Sequence, residues 1–136
     1  MNKIGTLQRR WSELKPSAYD KESRMVRMDI QPEKRLVGTG DEQEAVDGYS
    51  YVEVQIDRHI DYGHIKSQLI EAGFAQKDEF GLVMNAVESI VRAVNDATTF
   101  AKFKENLSCE DITAFSDFCE FRKMCAEAAK EVMNHY

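Results

Sequence analysis

An α+β fold is what this sequence predicts, and three observations predict it. Two stretches, 24–30 and 49–56, alternate apolar and polar residues with the period of a strand. After Asp57 the apolar spacing changes to the 3.6-residue period of helices. At 136 residues, 43% hydrophobic and 31% charged, the chain has the size and composition of one globular domain that buries a core without disulfide staples. The expected architecture is a short antiparallel hairpin or small sheet, packed with a helical C-terminal half of three main helices and preceded by an N-terminal amphipathic helix.

Taken in order, Ile4, Leu7, Trp11 and Leu14 follow helical spacing, so residues 1–20 read as a basic helical arm whose helix stops before Pro16. Residues 21–136 then form the single domain. Val26, Met28 and Ile30 line one side of the first strand; Val52, Val54 and Ile56 line one side of the second. The two pair antiparallel, because the link between them offers no crossover helix. That link, 31–48, holds Pro32, Gly38, Gly40, Gly48 and the acidic run Asp41–Glu44, and reads as a long mobile loop, with Leu36 and Val37 as the alternative extension of a strand. Gly38-Thr39-Gly40 lacks the preceding strand and following Lys-Ser/Thr of a phosphate-binding loop.

Asp61 is placed to cap the first main helix, in which Ile65, Leu69 and Ile70 face inward and Gly73 supplies a left-handed end. From Lys77 to Ala97, Phe80, Val83, Met84, Val87, Ile90, Val91 and Val94 make one unbroken apolar stripe, which predicts a helix that serves as the buried spine of the core. Asp78 and Glu79 suit the positive end of its dipole. Phe100, Phe103 and Leu107 predict one short helix or turn that packs aromatics under the body. Ser108 and Asp111 open the last helix as a capping box. Its inward side is expected to run through Ile112, Phe115, Cys119, Arg122, Cys125 or Ala126, Ala129 and Val132, widened by Phe118 and Phe121.

Charge and motif narrow the functional classes. Net charge is −6, unevenly placed: residues 1–40 carry nine Lys/Arg against five Asp/Glu, and the remaining 96 carry nine against nineteen. An acidic body of this kind argues against nucleic-acid binding, which needs a basic face for phosphates. No apolar run reaches the roughly 18 residues of a membrane span, and the N-terminus lacks a signal-peptide core, so a cytoplasmic protein without a membrane role is expected. Cys109, Cys119 and Cys125 have neither CxxC nor zinc-knuckle spacing and read as reduced apolar residues. No cofactor motif and no nucleophile–base signature is present.

Two constellations remain. Asp57, His59, Asp61 and His64 put two carboxylates and two imidazoles within eight residues. They would hold a divalent metal, or do acid–base work, given a further ligand such as Glu53 or His135. The two histidines are five apart, against four in a helical HExxH site, and Asp61 already has a capping role. Arg9, Arg10 and Trp11 are the other constellation: a basic, aromatic patch on the arm that would choose a protein partner.

The run Gly48–Phe74, GYSYVEVQIDRHIDYGHIKSQLIEAGF, and the later segment Asp117–Ala126 with its Glu120-Phe121-Arg122 step, resemble small uncharacterised proteins encoded in phages and prophages of Bacteroides-type bacteria. The resemblance covers about the last two thirds of the chain, transfers no functional residues, and implies a structural or assembly setting. The expectation is a non-enzymatic phage-associated protein, a virion component or tail-fibre assembly factor, acting through protein partners, self-association among them. The alternatives are a small metal-dependent enzyme built on Asp57, His59, Asp61 and His64, or an acidic inhibitor of a host protein.

Overall fold

In a computed structural model, which describes residues 4–107 and 109–136, the two alternating stretches pair antiparallel as expected, and the pairing runs well beyond them. The chain divides into two compact units, Met1–Gly73 with Met124–Tyr136, and Phe74–Lys123. The fold is α+β, with four strands and four helices among the described residues.

The first unit is organised by a sheet of strands β1 (Arg10–Ser12), β2 (Tyr19–Asp20), β3 (Met25–Val37) and β4 (Glu44–Gln55) in the order β1-β4-β3-β2, with every neighbour antiparallel. Val26 stands opposite Val54 and Met28 opposite Val52, so the apolar positions coincide across the pair. Val26, Met28 and Val52 are buried. Between Met28 and Gln31 the register shifts at Asp29, which sits at a φ of 51°. Aspartate tolerates that left-handed conformation better than most side chains, and a bulge of this kind turns the following strand.

Helix α1 (Tyr62–Gly73) adds Ile65, Leu69 and Ile70 to the buried set of this unit, and the end of α4 (Cys109–Met133) adds Cys125, Ala129 and Val132. Asp61 caps α1 as expected: its Oδ2 accepts from the His64 backbone N–H at 3.1 Å. Gly73 ends the helix without a positive φ. Its backbone serves instead as a landing point for Gly5, which lies at a φ of 53° so close that a Cβ there would sit 1.8 Å from the Gly73 carbonyl oxygen. The neighbouring Thr6 N–H donates to that oxygen at 2.9 Å.

The second unit is helical: α2 (Gln76–Asn95), α3 (Phe100–Asn106) and the first part of α4. Ser89 Oγ donates to Asp111 Oδ2 at 2.8 Å, and Arg122 pairs with Glu79 at 3.7 Å, so α2 and α4 run antiparallel. Phe74 meets Phe118 edge-on at 5.0 Å and Phe121 at 5.5 Å.

Five expectations are corrected. Among its described residues the N-terminal segment is no helix: Ile4 and Leu7 close a tight bridge and Arg10–Ser12 joins the sheet as an edge strand. Gly5 at positive φ and the docking of Thr6 on α1 favour this course over helical hydrogen bonds. The mobile loop at 31–48 is mostly strand, and only 38–43 turn between β3 and β4. Pro32 is accommodated because two-residue β2 pairs only with Met25 and Val26, leaving Pro32 on an open edge. The buried face of α4 runs through Phe118, Phe121, Cys125, Ala129 and Val132 as expected, but Cys119 and Arg122, expected on it, are exposed. The expected buried spine, α2, keeps most of its apolar stripe in water, and α3 buries no side chain. Ser108 and the side chain of Cys109, where the capping box was expected, lie outside the described residues.

Candidate functional site

Between the end of β4 and the start of α1 the chain bends, and Asp57 holds the bend. Its Oδ1 accepts from the His59 N–H at 2.9 Å, and its Oδ2 accepts from His64 Nε2 at 2.8 Å and from the Gln68 amide. Gln68 Oε1 accepts in return from the Asp57 N–H at 3.1 Å. The His59 and His64 rings stack at 4.6 Å. The structure thus joins Asp57, His59 and His64, while the Asp61 carboxylate is spent on the helix cap. Glu53 is engaged by Arg10 at 2.7 Å and Arg27 at 3.3 Å, and His135 pairs with Glu131 at 3.5 Å. Among the described residues no group of three or more His, Cys, Asp or Glu is arranged to hold a metal ion. The chemistry on view is that of an anion satisfied by hydrogen bonds.

Those bonds hold the Asp57 carboxyl below the usual value of 3.8, the His64 ring contributing most and the His59 N–H next. Because they favour the charged form, the bend is intact above the ordinary carboxylate range and loosens as pH falls below it. In a carboxyl-carbon NMR titration Asp57 should therefore titrate below 3.8, and His64→Ala should move it upward.

Arg9 lies partly buried across the bulge, with its guanidinium between two strands. Nη1 reaches Asp29 Oδ2 at 2.6 Å, Nη2 donates to the Asp29 carbonyl at 2.7 Å, and Nε and Nη2 donate to Ser50 Oγ at 3.2 and 2.9 Å. Trp11 Nε1 donates to the Glu33 carbonyl at 2.8 Å, and its ring covers Gly48, where a Cβ would meet ring carbons at 2.4 Å. Arg10 pairs with Glu53 but keeps 66% of its side chain exposed. The patch expected to choose a partner is thus tied into the sheet at two of its three residues. Gly48→Ala should push the ring outward, seen as a red shift in the emission of this single tryptophan.

The largest apolar exposure is on α2. This helix has two apolar faces of different kinds. Ala86, Ser89 and Ala93 are buried, short side chains that let the helix lie close in its own unit. The other face carries the long stripe, with Phe80 67%, Val91 51% and Val94 56% exposed, and Met84, Val87 and Ile90 open as well. At its C-terminal end Val94, Ala97, Phe100 and Phe103 line a shallow groove, with Phe100 70% exposed. Glu88 and Arg92 fall beside the stripe rather than on it. Exposed apolar residues are thus gathered on one face of α2.

Periodicity locates this face without saying whether anything covers it. The clue in the sequence was the second, small-residue face through Ala86, Ser89 and Ala93, which offers α2 another side to bury. No described helix is long and apolar enough to cross a membrane. Comparison of the chain with models of known protein families, with curated proteins and with solved structures finds no match.

Proposed function

We propose that this protein is a non-enzymatic structural or assembly component, phage-associated as its sequence resemblance suggests, that works through protein–protein contact on α2. The observation that carries the reading is the exposed stripe from Phe80 to Val94, continued by Phe100. Burying it in a partner returns the apolar surface that the folded chain leaves in water. The Asp57 cluster, hydrogen-bonded and shared with a helix start, supports a structural role better than a catalytic one.

The test is particle fractionation from cells that make this protein. The chain should travel with virions or tail intermediates. A Val87→Glu, Val91→Glu variant should lose that association while its circular dichroism is unchanged. Full incorporation of the folded variant would remove the reading.

A further inference from the structure

We infer that the partner of α2 is a second copy of this chain, packed antiparallel about a two-fold axis that passes beside Val87. The inference rests on the reading of α2 as an interaction surface and adds what occupies it. Its first support is register. The stripe residues are spaced three, one, three, three, one and three apart, an order that is the same in both directions and centred on Val87. Reversing one helix on another about that centre puts Phe80 opposite the second copy's Val94, Val83 opposite Val91, and Met84 opposite Ile90. Val87 then meets itself. Every apolar side chain finds an apolar partner, as an isologous interface requires.

Shape adds a second support. Phe80 is the large exposed knob at one end, and the groove of Val94, Ala97, Phe100 and Phe103 is the hollow at the other. Phe80 and Val94, the near edge of that groove, each lie seven residues from Val87, about 10 Å along the helix. The two-fold arrangement therefore seats each Phe80 at the second copy's groove, twice over. A parallel pairing would bring Phe80 against Phe80 and leave both grooves open. Antiparallel helix dipoles favour the same choice.

Area is the third support. The exposed parts of the stripe and Phe100 amount to on the order of 700 Å² per copy, close to the roughly 800 Å² that each partner gives to a standard interface. No charged side chain falls on the stripe between Phe80 and Val94, so closing it strands no ion.

The test combines sedimentation with cysteine cross-linking of the full chain, with Cys109 and Cys119 replaced by serine. A dimer is expected at micromolar concentration, and Val87→Glu should raise its dissociation constant on the order of 100-fold or more. Val87→Cys should cross-link to itself under mild oxidation. Phe80→Cys and Val94→Cys should each fail alone and cross-link when mixed. Phe80→Ala, an exposed site whose loss leaves the fold intact, should weaken the dimer independently of any charge. If Phe80→Cys cross-links to itself, the pairing is parallel and the two-fold arrangement is overturned. If the protein is monomeric at about 100 μM while Val87→Glu, Val91→Glu still abolishes particle association, the second-copy inference fails and the assembly reading stands. If that variant changes neither, both fail.

Discussion

Arg9→Ala should destabilise the folded state by about 2 to 3 kcal/mol, in contrast to the small effect expected of a surface arm residue. The side chain is an internal brace. Arg9 and Asp29 each keep only 15% of their side chains exposed, and Ser50, the other acceptor, is buried. Truncation leaves a carboxylate, a carbonyl at the bulge and a hydroxyl without the donor that joins them. Much of the cost is the desolvation of those groups rather than the attraction lost. Arg9→Lys should recover only part of it, because an ammonium cannot fork between Asp29 and Ser50 as the planar guanidinium does. Urea denaturation checks this: the midpoint should fall while the slope stays constant. A change under about 0.5 kcal/mol would return Arg9 to the role of a free surface charge.

Gly5→Ala should be more damaging still, on the order of 4 kcal/mol. The left-handed backbone at Gly5 already disfavours any Cβ, and here the Cβ would meet the Gly73 carbonyl, a backbone group that no rotamer change can move. The segment must lift away. Lifting it exposes Ile4, now 1% accessible, and parts Thr6 from the Gly73 oxygen. Thermal melting should show the loss, and the Thr6 amide should lose its protection from hydrogen exchange. Wild-type stability in this variant would mean that the N-terminal segment does not rest on α1.

The sequence made some of this legible and concealed the rest for physical reasons. Alternation at Val26, Met28, Val52 and Val54 revealed the strand pair, because a half-buried sheet imposes that period directly. Asp61 as a cap was equally legible, since one side-chain oxygen near a helix start has few other tasks. The N-terminal segment misled because Ile4, Leu7 and Trp11 have helical spacing by coincidence; Gly5 and a contact 67 positions away decide its course. The ribbon between Gln31 and Gly48 was masked by a proline and glycines that read as loop. An open strand edge tolerates the proline, and a tight turn uses Gly38 and Gly40. The largest misreading concerns α2. A hydrophobic stripe reports that a helix has an apolar side; it carries no information on whether the cover comes from the same chain.

Pairing through that open stripe would also respond to the surroundings. Association through an apolar face weakens on cooling and strengthens with excluded salts such as sulfate. A copy at low concentration in the cold would keep its six stripe side chains wet, and warmth or sulfate would draw copies together. The charge of −6 resists indiscriminate clustering, so the proposed pairing would compete with precipitation on terms set by temperature and salt. The proposed pairing through α2 would thus be a function of the solvent.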